Sequence, residues 1–523
     1  MTETDVTTQP LRRWCAPALC LLVLAGCAPE PRLPDLDAIY RDAALGAQRA
    51  DRRPLIGIPG TLGSRLVDAV SGRVIWGGGG SRGISADPED REEFRLIALP
   101  IPKVGAPLIN ATDTVQPAGV LEVAMIEILG VPVDLEVYAG IDRTLRAGGF
   151  EFLSPDAYSA GADGAVAANA PASGIYRFDY DWRRDLIETA HQFGRYVQDR
   201  RRDVARMRGV PEETIQFDLI AHSMGGLIAR YFLMHGFAAP DTADPTAPLP
   251  PVSWDGAPFF NRVIFVATPN AGSIIALDNL INGKDLGPFQ PEFPAALLGT
   301  HHSVYQLMPR PRHRRVRLGQ TEFADLYDPA LWQAQGWGLA DRAADRQLAW
   351  LMPDEPDAEA RRRRALAHQA RLLNRARLFH IMMDRWAPPP EGIDMFLVVG
   401  GGFETPSTAQ VDPATGAFTI DGVAEGDGVV LRASALLDEA QGGQVPRQDR
   451  FPLRFDTTLF LPDEHVELTK NPVFGDNLLY WLLDAPREGA PLARPRRTEF
   501  LGARADAPDA DPPGEFARAG SDQ

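Results

Sequence analysis

Short apolar runs closed by turn residues recur along the chain. Pro54-Leu55-Ile56-Gly57-Ile58-Pro59 is the first, and it predicts a buried strand. Phe217-Asp218-Leu219-Ile220-Ala221 leads directly into a helical pattern, Leu227 to Met234, that stops at Gly236. Val263 to Ala267 and Met395 to Val399 repeat the strand signal, and Thr457-Leu459-Leu461 alternates as a later strand does. Apolar strands alternating with helices predict a mostly parallel central sheet covered on both faces, the α/β class.

The stretches between these strands are too long for simple loops. Residues 77–135 open with a glycine run and carry apolar stretches around Leu96–Val104 and Val120–Val133. Residues 270–392 hold basic clusters, Arg310 to Arg317 and Arg361 to Arg364, and an amphipathic helical segment from Ala365 to Trp386. Long insertions in compact domains are commonly lids or disordered. Both are read as cap insertions over a cleft, with the arginine runs as solvated faces. Residues 238–256 read as a surface insertion. The globular domain is expected over 54–484, and the Pro-, Ala-, Arg- and Asp-rich residues 485–523 as a disordered tail.

The start of the chain carries a different signal. Arg12 and Arg13 precede an apolar run, Ala16 to Ala25, which ends in Leu24-Ala25-Gly26-Cys27. A charged start, a short apolar stretch and small residues before the cut form a secretory signal peptide, here 1–26, with 27–53 as a tether and lead-in. The ending resembles the lipobox of bacterial lipoproteins, which implies lipidation of Cys27 and an exported, membrane-anchored protein. Ala28 after it, in place of Asp, favours the outer membrane.

Cysteine usage agrees. The three cysteines are Cys15, Cys20 and Cys27, so the processed chain keeps one, occupied by lipid. A disulfide, thiol catalysis and cysteine-ligated zinc are thereby excluded from it. The formal net charge of −17 argues against nucleic acid, whose binding leans on Lys and Arg. Losing the leader removes two acids, Glu3 and Asp5, and two bases, Arg12 and Arg13, and leaves that balance unchanged.

Candidate chemistry centres on Ala221-His222-Ser223-Met224-Gly225-Gly226, set between an apolar strand and an amphipathic helix. That context makes it a nucleophile elbow, with Ser223 on a strained turn and small residues two positions to either side. A serine hydroxyl needs a base to take its proton. In this arrangement the chain order is Ser, acid, His. Of the nine histidines only His465 lies beyond the last strand signals, in Leu461-Pro462-Asp463-Glu464-His465. His222 is read as a packing or hydrogen-bonding residue, and His301-His302 as a solvated loop pair, since no third metal ligand stands at a suitable spacing. For the acid, Glu404, Asp412, Asp421, Glu425 and Asp427 are candidates. Asp427 has the best mount, in the glycine-flanked turn Glu425-Gly426-Asp427-Gly428. For the oxyanion hole, the Met224 amide and an amide of the Pro59-Gly60-Thr61-Leu62-Gly63-Ser64 loop are expected, with Thr61 preferred.

With those residues in hand, the chain resembles the lecithin:cholesterol acyltransferase family, including its lysosomal phospholipase branch. Pro54 to Leu66, Val74-Ile75-Trp76, Tyr180-Asp181-Trp182-Arg183, Ala221 to Gly225, Ala267 to Ser273, Phe403 to Pro406, Gly426 to Val430 and Glu464 to Glu467 follow that family's markers in order. The resemblance implies an α/β-hydrolase fold. It also implies catalytic Ser223, Asp427 and His465, oxyanion donors Thr61 and Met224, and transfer of acyl groups from lipid esters to water or an alcohol. No metal or organic cofactor is implied. Tyr180 to Arg183 are expected to shape the cleft. Family members carry disulfides that this chain, once processed, cannot form. A soluble-substrate carboxylesterase, lactonase or polyester depolymerase is the alternative enzyme, and a non-catalytic lipid-binding protein on the same fold the alternative of another kind.

Overall fold

A computed structural model describes residues 52–78, 86–108, 113–128, 131–136, 138–152, 174–242, 247–285, 292–310, 313–320, 322–437 and 453–483. The signal sequence, Cys27, most of the tether and the C-terminal tail lie outside the described residues.

The apolar run after Pro54 forms β1 (Leu55–Ile58). Three antiparallel strands follow: β2 (Ser64–Asp68) pairs with both β3 (Val74–Trp76) and β4 (Val115–Val120). β5 (Val123–Ile128) and β6 (Val131–Glu136) form a separate antiparallel pair. The main sheet takes up β7 (Glu151–Phe152), β8 (Gly174–Arg177), β9 (Phe217–His222) and β10 (Phe260–Val266). β11 (Val316–Leu318) and β12 (Glu322–Phe323) join β14 (Phe403–Val411) and β15 (Phe418–Gly426) in a side sheet. β13 (Asp394–Gly400) and β16 (Thr457–Leu461) complete the main sheet, whose order is β16-β13-β10-β9-β1-β8-β7. Each of its pairings is parallel.

Successive residues of these strands face opposite layers, and both layers are apolar. Ile56, Leu219, Val263, Phe265 and Leu397 join one core with the Leu186–Arg208 and Met224–His235 helices. Leu55, Ile175, Ile220, Ile264, Val266 and Val398 join the other with the Ala139–Ala147 and Pro472–Leu483 helices. Burial on both faces is why the strands read as continuous apolar runs. β7 and β8 carry no such run and were invisible to that criterion.

The two long excursions are bound to each other. The helix expected from Ala365 to Trp386 runs from Ala358 to Met383, because the Asp357 carboxylate caps its N-terminus by accepting from the Ala360 amide. From this helix Arg364 reaches the carbonyls of Ile101 and Pro102, and Arg371 that of Ala106. Arg375 makes a two-bonded pair with Asp185, the N-cap of the Leu186–Arg208 helix. The reading of the arginine runs as solvated holds for Arg314, Arg317 and Arg363 but fails for Arg310, Arg362 and Arg364. Arg310 is buried against Asp384 and the Asn270 carbonyl, and Arg362 and Arg364 are largely covered. Acceptors brought in from distant segments make that burial tolerable.

Candidate active site

The site is built where β9 ends. Ser223 has φ 52° and ψ −124°, a conformation L-residues rarely adopt, between the end of the strand and the Met224–His235 helix. Its amide donates to the Val266 carbonyl at 2.8 Å, which anchors the turn to β10. The helix can start this close because Gly225 lies against Ile58 and Pro59, and Gly226 against the Thr268 side chain, where any Cβ would collide. The turn thus holds the Ser223 hydroxyl at the C-terminal edge of the sheet.

Two distant loops meet that hydroxyl. His465 follows β16, and its Nε2 lies 2.9 Å from Ser223 Oγ. Its Nδ1 lies 2.8 Å from Oδ2 of Asp427. Asp427 enters by an indirect route. The chain leaves β13 at Gly400, makes the antiparallel β14–β15 hairpin, and returns through the Phe403–Gly426 pairing beside its point of departure. Gly400 is the contact there, since a Cβ on it would stand 2.5 Å from Asp427 Cβ. The other carboxylate oxygen of Asp427 accepts from the Val429 and Val430 amides at 3.0 and 2.6 Å, which orients it towards the imidazole. Of the five candidate acids, Asp427 is the one hydrogen-bonded to His465. Glu425 instead pairs with Arg432, and Asp421 with Arg317 and Thr408. Asp412 caps its own turn at Ala414 and Thr415, and Glu404 stays exposed on β14.

The loop after β1 approaches from the opposite side. A Cβ on Gly60 would stand 2.9 Å from Ser223 Cβ and 3.4 Å from its Oγ, so only glycine lets the loop come this near. Gly63 closes a turn on the Gly60 carbonyl, and Leu62 holds φ at 61°. The Gly60 amide is already bonded to the Tyr138 hydroxyl at 2.7 Å. The Thr61 and Met224 amides have no hydrogen-bond partner among the described residues, so both stay available to an incoming oxygen.

Tyr180 to Arg183 stand behind this loop, all buried. The Tyr180 hydroxyl donates to the Pro59 carbonyl and the Trp182 indole to that of Ser64. Arg183 pairs bidentately with Asp181, meets Asp113, and donates to the carbonyls of Leu96, Ile97 and Ala98. Burial alone would raise the Asp181 carboxyl; the Arg183 guanidinium outweighs it and holds it below its usual range. These residues shape the cleft from beneath, by fixing where residues 59–64 lie.

The histidines next to the site are buried. His222 lies between Tyr138 and His465, and burial, with His465 beside it, lowers its pKa to about 3. The solvated reading of His301-His302 is corrected here. His301 packs on Trp182 and bonds the Ile97 carbonyl at 3.0 Å, while His302 packs against His368, and all three are buried. Among the described residues no group of three or more His, Cys, Asp or Glu is placed to hold a metal ion. No described helix is long and apolar enough to cross a membrane. A cavity of about 50 Å³ shares Pro59, Tyr138 and His222 with the site and is otherwise lined mostly by apolar residues, with Asp142, Arg177 and Thr469 among them.

Tyr138 was missed by sequence reasoning. It follows the β5–β6 pair with no motif around it, and only its contacts with Gly60 and His222 draw attention to it.

A parallel sheet with helices on both faces, a strand-to-helix elbow and an antiparallel hairpin before the last strand define an α/β-hydrolase fold. Residues 170–333 match the family model described as lecithin:cholesterol acyltransferase. The resemblance expected from the motifs is thus matched over the segment carrying Tyr180–Arg183, Ser223 and Ala267–Ser273, and the match supports an esterase or acyltransferase activity. A chain of the Tle4–Tli4 complex superposes with TM-score 0.51 at 12% identity, covering 83% of this chain and 98% of that one. The mature lipase BlEst2 of Bacillus licheniformis matches at 13% identity with TM-score 0.26, over 64% of this chain and 90% of its own. Phospholipase PlaB of Legionella pneumophila matches at 14% identity with TM-score 0.28, over 67% of this chain and 57% of its own. Of these three likenesses the first, at TM-score 0.51, carries the fold, and at 12% identity it carries nothing beyond it. No curated protein matches the chain in sequence.

Proposed function

We propose that the protein is a serine acyl hydrolase or O-acyltransferase of lipid esters, working through an acyl-Ser223 intermediate. The observation that carries this is the unbroken chain from Ser223 Oγ through His465 to Asp427, with contacts of 2.9 and 2.8 Å. His465 Nε2 takes the hydroxyl proton as Oγ attacks the ester carbonyl. Asp427 keeps the Nδ1 proton in place and stabilises the imidazolium without accepting its proton. The unpartnered amides of Thr61 and Met224 are the oxyanion donors. Collapse of the tetrahedral species breaks the ester C–O bond, and His465 returns the proton to the departing alcohol. Water or a second alcohol then attacks acyl-Ser223 by the reverse sequence and frees the serine.

The deciding comparison is wild type against Ser223→Ala on phospholipid vesicles and on a short nitrophenyl ester. Loss of both activities with an unchanged melting curve supports the reading. Free fatty acid as product names water as the acceptor, and a new ester names an alcohol. Equal activity of the two proteins would overturn the assignment of Ser223. Activity on the short ester alone favours the carboxylesterase alternative, and inactivity of wild type on both favours the lipid-binding one.

We also propose that Cys27 carries the lipid anchor, on the strength of Leu24-Ala25-Gly26-Cys27. Incorporation of labelled fatty acid by wild type and not by Cys27→Ala, with loss of membrane fractionation, is the expected result. Labelling of both proteins would refute it.

A further inference from the structure

We propose that Tyr138 and His222 are positioning residues that set the oxyanion loop relative to the base. This rests on the serine-hydrolase reading above and concerns residues that reading does not use. Three segments far apart in sequence converge here. The Gly60 amide donates to the Tyr138 hydroxyl at 2.7 Å. That hydroxyl lies 3.0 Å from Nδ1 of His222, and Nε2 of His222 lies 3.3 Å from the His465 carbonyl.

The direction of each bond follows from proton counting. Tyr138 receives the Gly60 N–H on a lone pair, so its single proton points to His222 Nδ1. His222 is then an acceptor at Nδ1 and carries its proton on Nε2, where the partner is a carbonyl that can only accept. A neutral ring satisfies every member once, and burial keeps His222 neutral, its pKa lowered to about 3. Buried polar chains satisfied in this way rigidify what they join.

What they join is the proposed machinery. Gly60 contacts Ser223 and immediately precedes Thr61. Bonding of its amide to Tyr138 fixes the plane of the Pro59–Gly60 peptide, while the Gly63 amide holds the Gly60 carbonyl of the next peptide at 3.1 Å, which leaves the Thr61 amide to face the developing oxyanion. At the other end the bond to the His465 carbonyl fixes the backbone of the base. His222 is also held directly, since it precedes Ser223 in β9 and packs beside the His465 ring, with centroids 5.1 Å apart. The Tyr138–His222 chain thus spans the site behind the reacting atoms and hydrogen-bonds to none of them.

The test is Tyr138→Phe, which removes one oxygen and keeps the ring, alongside His222→Leu and the double variant. Active sites are titrated with a phosphonate ester, so that rates refer only to folded, competent enzyme. A misplacement of about 1 Å can cost on the order of a hundredfold in rate. We expect kcat on a nitrophenyl ester to fall between about tenfold and a hundredfold in Tyr138→Phe. KM should stay within about twofold, because the chain acts on transition-state contacts. The double variant should be no slower than the slower single one, since either change breaks the same chain. Tyr138→Phe with wild-type kcat per titrated site would overturn the proposal, as would losses that multiply in the double variant. Ser223→Ala, run in parallel, separates the outcomes. If it is inactive while Tyr138→Phe is unimpaired, the positioning chain fails and the serine mechanism stands. If Ser223→Ala is active, the serine mechanism itself fails.

Discussion

Asp427 and His465 are joined twice: Oδ2 to Nδ1 at 2.8 Å, and the Asp427 carbonyl to the His465 amide at 3.0 Å. The second bond fixes the histidine backbone where the first bond needs its ring. Each residue therefore constrains the other independently of substrate. In Asp427→Asn the backbone bond persists while the side chain can offer an N–H to Nδ1, turning the ring into the wrong tautomer for accepting the serine proton. Such a change cost about 10⁴ in kcat in a serine protease triad. A fall of that order, with the melting temperature near wild type, is expected from steady-state kinetics and circular dichroism.

Gly226 faces Thr268 across the first turn of the elbow helix. Gly226→Ala puts a methyl group into the Thr268 side chain at a point where both backbones are pinned by the sheet. Overpacking of a tight core costs about 1–3 kcal/mol or more. Thermal melting should show that loss, and Thr268→Ala in the same chain should recover part of it by removing the hydroxyl and methyl groups that meet the new Cβ.

Arg375 and Asp185 form a buried two-bonded pair at 3.0 Å across 190 positions of sequence. Burial acts to raise the Asp185 carboxyl, and the Arg375 guanidinium outweighs it and lowers the pKa. Arg375→Met keeps bulk but strands that carboxylate in the interior, a change that typically costs 3–5 kcal/mol. Denaturant unfolding should show a destabilisation of about that size. The double variant Arg375→Met/Asp185→Asn should be less destabilised, because the uncompensated charge is gone.

Acid should loosen the fold through its buried histidines. His222 and His301 are lowered to about 3, His302 and His380 to about 4, and His368 falls well below the ordinary value, all chiefly through burial. Once unfolded, each titrates near 6.5, so below that pH the unfolded chain binds protons the folded one refuses. The stability they contribute is fully present above about pH 6.5 and declines as pH falls towards 4. The limit is about 1.4 kcal/mol per pH unit for each group. Melting temperatures from pH 7.5 to 4.5 should drop steadily, and His368→Gln should flatten the slope. A slope unchanged by that substitution would exclude His368 as a contributor.

Much of the frame was legible because its signals are local. β1, β9, β10 and β13 announce themselves as apolar runs, since a strand buried on both faces is apolar at most positions, and β16, at the sheet edge, announces itself by alternation. The elbow announces itself because a serine held at positive φ before a closely packed helix demands small neighbours. β7 stayed hidden because it has two residues, and β8 because Gly174 and Arg177 leave only Ile175 and Tyr176 as an apolar pair. His301, His302 and Arg310 read as exposed because polarity was the only clue available. Their carbonyl, carboxylate and aromatic partners come from segments distant in the chain.

The sequence by itself determined the sheet, the place of Ser223 and the order in which an acid and a histidine follow it. Each of these depends on residues within a turn or two of one another. Tertiary structure decided which carboxylate faces His465, by folding the β14–β15 hairpin back so that Asp427 rests on Gly400. It also decided that Tyr138 and His222 tie the Gly60 loop to the base. Those relationships depend on distances across the fold, and a hydrogen bond about 3 Å long leaves no trace in the spacing of residues some 80 or 240 positions apart.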